Sequence, residues 1–330
     1  MSGLDPVHGS AQEILALLRE WDAATDPPPL SVETSGSTAR PKRVVLSRAA
    51  MRASADATHT RLGGPGTWRL VLPPSYVAGL QVLFRSVRAG TEPVLGDPTG
   101  AGATYVSVVP TQLLRLLDAD DGEGLSRFDA VLVGGASLDD GLRRRAERQG
   151  VRVVTTYGMS ETCGGCVYDG RPLDGVEFTT TDEGRVRVRG PVLFDGYAGA
   201  DGVEEQLQDG WFVTQDLGRV TADGRLVIGG RVDDVVVSGG VNVPAGAVAA
   251  QVRSHPRVRA AEVVGVPDDE WGQLLVAVVV GDVSLAELRD HVAEDLPRRY
   301  GPRRVVRLDA MPLLANGKVD RLAVERAARA

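Results

Sequence analysis

Residues Glu33 to Arg43 read ETSGSTARPKR. Thr34, Ser35, Ser37 and Thr38 surround Gly36, and Pro41 and Lys42 follow. Small hydroxyls and a glycine let backbone N–H groups and hydroxyls curl around an anion, and a lysine adds a compact, mobile charge. The order differs from a Walker loop, which requires GxxxxGK followed by Ser or Thr. On composition alone, a Ser/Thr-Gly surface loop reads equally well.

A count separates the two readings. Of 37 lysines and arginines only Lys42 and Lys318 are lysine, so 35 (37 − 2) of the cations are arginine. Both lysines stand beside turn formers, in TARPK and ANGK. A planar guanidinium does not replace a compact ammonium at a tight site, so two functional lysines, far apart in sequence, are expected.

At 330 residues the chain can bury a large core, and its length suggests about two domains. A hydrophobic content of 43% is ordinary for a soluble globular protein. A formal net charge of −7, with no basic run interleaved with aromatics, argues against a nucleic-acid partner. The short arginine clusters, such as Arg143–Arg145, are balanced by neighbouring acids and read as solvated faces. No basic-then-apolar segment opens the chain, and the longest apolar run, Leu274 to Val280, is too short to span a bilayer. A cytoplasmic chain without a membrane partner is expected, with homo-oligomerisation left open. The two cysteines form Cys163-Gly-Gly-Cys166. No second cysteine pair or nearby histidine completes a zinc site, and VYDGRPLDG after the pair is not the helix of a redox motif. Small residues packed under a substrate pocket are the expectation.

Taken in order, the first 30 residues predict an amphipathic helix with Ile14, Leu15, Leu17 and Leu18 on its apolar side. Strands are expected at Leu30–Thr34, Trp68–Leu72, Tyr105–Val109, Ala130–Val133 and Val151–Thr156. Helices are expected between them at Ala49–Arg61, Gly79–Val87, Thr111–Leu117 and Leu138–Gln149. Such alternation implies an α/β fold with parallel strands, whose ligands lie beyond the carboxyl ends. Gly134-Gly135-Ala136 and Tyr157-Gly158-Met159-Ser160-Glu161 fall at such ends. From about Val176 short alternating strands imply an antiparallel β subdomain, with a hairpin around Ala222-Asp223-Gly224. After Arg231 a small α+β domain is expected: a hairpin at Val235–Val243, a helix at Gly246–Arg253 and strands at Ala261–Val266, Leu274–Val280 and Arg304–Leu308. A capping box, Ser284-Leu-Ala-Glu287, opens a further helix. The boundary is placed between 230 and 231.

Eight segments in one order carry a resemblance: ETSGSTARPK, LPPSYVAGL, GGA, YGMSET, GRVRVRGPVLFDGY, DGWFVTQDLG, GRVDDVVVSGGVNV and PLLANGKVDR. Together they resemble the acyl-adenylating superfamily of acid–CoA ligases, luciferases and peptide-synthetase adenylation domains, from about residue 31 onward. The resemblance implies that Thr34, Ser35, Gly36, Ser37, Thr38 and Lys42 hold the β- and γ-phosphates of ATP. It implies that Gly134, Gly135 and Ala136 line the adenine and acyl sites, that Tyr157, with Gly158, Met159 and Ser160 beside it, packs on adenine, and that Glu161 binds Mg²⁺. Asp216 would take the ribose hydroxyls with support from Arg231, and Lys318 would bridge the substrate carboxylate and the α-phosphate. The small domain would be mobile, turning about a hinge at Asp233 and bringing Gly239 and Gly240 to the thiol channel for coenzyme A.

Some positions depart from the pattern. Ala39 and Arg43 stand where glycine is usual, Gln215 replaces the glycine before the ribose aspartate, and Tyr76 stands where many relatives carry a gating histidine. His8, His59, His255 and His291 fall outside every motif and are expected at the surface. The segment before the phosphate loop is shorter than usual, which reads as a compact enzyme, and a chain end twelve residues after Lys318 favours free coenzyme A over a fused carrier. YVAGLQVL, VSVVPTQLLRLL and YGMSETCGGCVYDGRPLDGV are similar to the short actinobacterial o-succinylbenzoate–CoA ligases of menaquinone biosynthesis. That likeness implies a dianionic carboxylic acid as substrate, with Tyr76, Gln81 and the backbone near Gly164 and Gly165 as pocket donors. Another acid–CoA ligase, a carrier-loading adenylation enzyme and a nucleotide-binding pseudoenzyme remain the alternatives.

Overall fold

The computed structural model describes residues 5–34, 42–97, 102–120, 122–199, 202–314 and 316–330. The expected phosphate-loop residues Ser35, Gly36, Ser37 and Thr38, and the departure Ala39, lie outside these, whereas Thr34, Lys42 and Arg43 lie within.

A seven-stranded sheet organises the first half of the chain. Its order is Val94–Leu95, Trp68–Leu70, Tyr105–Val108, Ala130–Val133, Val153–Met159, Gly164–Tyr168 and Arg171–Pro172. Pairing is parallel as far as Val153–Met159 and antiparallel through the last two strands. Apolar residues fill consecutive positions because both faces are covered. Along one strand Ala130 and Leu132 join one core cluster, and Val131 and Val133 join the other. The helices Arg48–Leu62 and Val77–Ala89 lie on the first side, and Pro110–Asp120 packs on the second. The strand expected to stop at Thr156 continues through Tyr157-Gly158-Met159, with its register shifting between Tyr157 and Gly158. Gly158 permits this, because a Cβ there would lie 2.0 Å from the Gly164 carbonyl oxygen.

Leu30–Glu33 and Arg43–Leu46 form the two arms leading into and out of the lysine-bearing loop, paired antiparallel from Leu30 opposite Leu46 to Glu33 opposite Arg43. The second arm was not expected, and it makes Arg43 a strand residue facing Glu33. Gly196–Gly199 pairs with that arm. The expected antiparallel subdomain is the sheet Glu177–Thr180, Arg185–Arg189, Phe212–Val220 and Leu226–Arg231.

After the turn at Val232–Asp234 a separate five-stranded sheet forms from Val235–Ser238, Val241–Pro244, Val258–Asp268, Gly272–Gly281 and Arg304–Arg307. Ala245–Arg253 and Leu285–Asp295 cover one face, and Ser284 and Glu287 make the reciprocal cap read from the sequence. The helix Arg321–Arg329 covers the other face through Val324 and Ala328, its first turn capped by Asp320. That helix was missed because arginines interrupt its apolar stripe.

The histidine expectation needs correction. His59 is buried beside Trp68, whose indole N–H points at His59 Nε2 from 3.4 Å, and His255 and His291 are half-buried. Burial, then the Arg85 charge, push the His59 imidazole down to about 4. Between the ordinary value near 6.5 and about 4 the unfolded chain binds a proton that the folded chain refuses, so stability falls as pH falls through this window. The shift corresponds to about 3 kcal/mol across the window. His59→Gln should flatten the dependence of unfolding free energy on pH between 6.5 and 4 in denaturant titrations. An unchanged slope would place the acid-sensitive group elsewhere.

Candidate active site

Two glycines open the carboxyl end of the parallel sheet. At Gly134 a Cβ would stand 2.3 Å from Thr156 Oγ1. Gly135 has φ +80° and lies under Lys318: a Cβ would meet Lys318 Cε at 3.0 Å and Nζ at 3.7 Å. The lysine loop is fixed to the first turn of the helix Pro110–Asp120, since Thr111 Oγ1 donates to the Gly317 carbonyl at 2.7 Å. Asn316 Oδ1 accepts from the Lys318 N–H at 3.1 Å. Burial lowers the pKa of the Lys318 ammonium. A cavity of about 580 Å³ is lined by Leu70–Pro73, Val108, Gln112 and Asn316 and, among the described residues, by none of those expected to bind nucleotide.

A second cluster lies across the antiparallel sheet. Asp216 and Arg231 are cross-strand partners. Asp216 Oδ2 accepts from the Tyr157 hydroxyl at 2.8 Å, and Oδ1 accepts from Arg231 at 3.2 Å. Arg231 also forks onto Asp233, at 2.9 and 3.1 Å. Burial raises the Asp216 carboxyl above the usual range, opposed by the Tyr157 hydrogen bond and the Arg231 charge. Burial, then the Asp216 charge, push the Tyr157 phenol well up. The departure Gln215 points outward and is exposed.

The third cluster holds the ends of the lysine-bearing loop. Thr34 N–H donates to the Lys42 carbonyl at 2.9 Å, and Lys42 N–H donates to Thr34 Oγ1 at 3.2 Å. Lys42 Nζ lies 4.5 Å from the centre of the Tyr197 ring, whose hydroxyl donates to Glu161 Oε1 at 2.7 Å. Ser160 and Glu161 stand in the short turn Ser160–Thr162 that follows Met159.

On the helix Val77–Ala89, Tyr76 is the N-cap residue without a side-chain cap bond. Gln81 is buried; its amide Nε2 is 3.3 Å from Met51 Sδ and its Oε1 has no partner. A Cβ on Gly164 would touch Gln81 Cγ at 3.5 Å, so this turn and helix do meet. One turn further on, Arg85 is buried, its guanidinium 4.8 Å from the Trp68 ring and 3.4 Å from the Tyr168 hydroxyl. Arg85 Nε has no partner, and among the described residues no carboxylate forms an ion pair with this cation. Sequence reasoning passed over Arg85, although a lone arginine inside VAGLQVLFRSV was a readable signal.

Gly239 and Gly240 make the turn between Val235–Ser238 and Val241–Pro244, with φ +57° and +74°. Their neighbour is Trp271, whose carbonyl accepts the Gly239 N–H at 2.9 Å, so the structure does not bring them to Lys318 or Asp216. Cys163 and Cys166 are free, buried thiols, and burial pushes Cys166 up to about 12 and Cys163 higher, so both stay protonated. Among the described residues no group of three or more His, Cys, Asp or Glu is placed to hold a metal ion.

Residues 33–198 match the AMP-binding enzyme family, and residues 247–318 match the AMP-binding enzyme C-terminal domain. The chain belongs to the AMP-binding enzyme family. Over 99% of its length it is 40% identical to a probable 2-succinylbenzoate–CoA ligase of Mycobacterium tuberculosis, 92% of which is covered. It is 31% identical to a 2-succinylbenzoate–CoA ligase of Bacillus anthracis, with 88% of this chain and 68% of the relative covered. Among solved structures it is similar to an E. coli MenE variant with bound OSB-AMS, with TM-score 0.80 and 30% identity over 92% of this chain and 70% of the other. An amide bond synthetase from Marinactinospora thermotolerans superposes with TM-score 0.77 at 28% identity, covering 90% of this chain and 68% of that one.

Tyr157→Phe removes the donor that holds the Asp216 carboxyl down. Carboxyl ¹³C NMR should then find Asp216 titrating at higher pH than in the unmodified chain. An unmoved titration would show that the Tyr157 hydroxyl contributes nothing to the ionisation of Asp216.

Proposed function

We propose that this chain is an o-succinylbenzoate–CoA ligase acting in the cytoplasm in menaquinone biosynthesis. It activates the acid with ATP to an acyl-adenylate and transfers the acyl group to coenzyme A, releasing pyrophosphate and AMP. The observation that carries the reading is 40% identity over 99% of the chain to a 2-succinylbenzoate–CoA ligase relative. Among the described residues no helix is long and apolar enough to cross a membrane.

In this reading Asp216 and Arg231 hold the ribose. Tyr157, tied to Asp216 at 2.8 Å, flanks the adenine beside Gly134, Gly135 and Ala136. The segment from Thr34 to Lys42 holds the β- and γ-phosphates. Glu161 fits a Mg²⁺ ligand: Tyr197 occupies one of its oxygens, and a hard cation that keeps waters and phosphate oxygens needs few protein carboxylates. When bound, Mg²⁺ would neutralise charge on the phosphates. Lys318, against Gly135, lies where a substrate carboxylate meets the α-phosphate. As the carboxylate oxygen attacks phosphorus and pyrophosphate departs, its ammonium offsets the repulsion between two anions. In the second step the thiol sulfur of coenzyme A attacks the acyl carbon and AMP leaves.

That second step uses Gly239 and Gly240, which requires the small domain (231–330) to turn relative to the large one (1–230). The hinge is Asp233. Arg231, shared between Asp216 and Asp233, spans it, whereas the Asp234–Arg321 pair at 2.5 Å holds the last helix to the small domain.

The acid carries a second carboxylate that does not react. Arg85, buried and with no carboxylate paired to it among the described residues, is suited to receive it, with Gln81 one turn earlier on the same helix, Gly164 against Gln81, and Tyr76 at the helix N-cap. Pyrophosphate release with ATP and Mg²⁺ should be strong for o-succinylbenzoate and weak for benzoate, coumarate and a medium-chain fatty acid. Arg85→Leu should lower kcat/KM for o-succinylbenzoate about a hundredfold or more while sparing the monoacids. Equal losses for all acids would remove Arg85 from recognition. Lys318→Ala should abolish adenylate formation yet still convert a pre-made acyl-adenylate with coenzyme A. Survival of both half-reactions would remove Lys318 from the first step.

A further inference from the structure

Tyr197 touches both Lys42 and Glu161, two groups more than a hundred residues apart. It closes the segment GRVRVRGPVLFDGY, but no role was expected of it. The backbone explains the convergence. Gly196 pairs with Val45 and Tyr197 with Val44, so Tyr197 lies beside the strand leaving the lysine-bearing loop. Phe194 N–H donates to the Glu161 carbonyl at 3.0 Å, tying the same segment to the turn that carries Glu161.

The ring is held from behind. Phe194 meets it edge-on at 5.2 Å and rests in turn on Phe212 at 5.0 Å. Gly196, at φ +149°, lets the chain pass where a Cβ would stand 2.3 Å from the Glu204 carbonyl oxygen. Burial, then the Glu161 charge, raise the Tyr197 phenol above its usual range, so the hydroxyl remains a donor throughout the neutral range.

We propose that Tyr197 is a positioning residue that couples the two ends of the triphosphate site, orienting the Glu161 carboxylate with its hydroxyl and Lys42 with its ring face. The inference rests on the reading above, in which Glu161 meets the divalent cation and Lys42 the phosphates. The hydroxyl fixes one carboxylate oxygen, so the other would be the one offered to a bound cation. The ring face attracts the ammonium through its quadrupole and limits where Lys42 reaches. The two contacts use different parts of one side chain, so they separate experimentally.

Tyr197→Phe removes the hydroxyl and keeps the ring; Tyr197→Ala removes both. Two affinities are measured: Mn²⁺ for the ATP complex, from the electron paramagnetic resonance of free Mn²⁺, and ATP alone in EDTA, by calorimetry. Tyr197→Phe should weaken Mn²⁺ binding roughly tenfold and leave metal-free ATP affinity within about twofold. Tyr197→Ala should lose the same in Mn²⁺ binding and, in addition, roughly threefold in metal-free ATP affinity. Both should convert a pre-made acyl-adenylate with coenzyme A at the unmodified rate. Unchanged Mn²⁺ affinity in Tyr197→Phe would overturn the proposal, and that variant keeps the ring packing even if the alanine variant does not fold. Equal losses of metal-free ATP affinity in both variants would also overturn it, since a merely structural role gives that pattern. If the unmodified chain bound no Mn²⁺–ATP, the underlying reading would fall as well.

Discussion

The close approach of Lys318 to Gly135 is the contact on which the site depends. It requires a residue without a side chain at the end of a parallel strand, because a Cβ there would already press on the lysine stem at 3.0 Å. It also requires the lysine loop to be held in place, which Thr111 does through the Gly317 carbonyl. One group from near the end of the chain is thereby set at the carboxyl end of a sheet built from the first half. The large sheet supplies the floor, the antiparallel sheet supplies Asp216 and Arg231, and the small domain supplies the cation.

Lys318 and Asp216 are each held away from the charged state they adopt in water. Burial lowers Lys318 and raises Asp216, so each charge carries a desolvation cost. Tyr157 and Arg231 oppose that cost at Asp216. In the proposed reading, a nucleotide and a dianionic acid would bring complementary groups: hydroxyl donors for Asp216 and anionic oxygens for Lys318 and Arg85. Binding would then relieve costs that folding has imposed, and preorganised charge of this kind acts most strongly on charge that develops during reaction.

Much of this was legible in the sequence because it rests on local rules. Strands buried on both faces read as continuous apolar runs, and AVLV at Ala130–Val133 was placed to the residue. The Ser284–Glu287 cap was likewise visible as a spacing. Lys42 and Lys318 stood out against a background of arginine. What stayed hidden depends on distant partners. The extension of one strand to Met159 is permitted by Gly158 fitting against Gly164, a contact that no propensity encodes. Tyr197 gained its place through pairing with Val44, and His59 was drawn inside by Trp68. Arg85 was passed over for a different reason: its helix was recognised and the lone charge within VAGLQVLFRSV was readable, but its burial with no carboxylate paired to it among the described residues is visible only in the structure.

The central claim is that groups from three parts of the chain enclose one acyl-adenylate. Hydrogen–deuterium exchange with and without a non-hydrolysable o-succinylbenzoyl-adenylate analogue tests it most directly. The account predicts simultaneous protection at residues 134–136, 157–161, 214–217 and 316–319, with a matching effect around Gln81 and Arg85. Protection of the first three segments with no change at 316–319 would contradict it, because Lys318 would then lie outside the site that holds the intermediate.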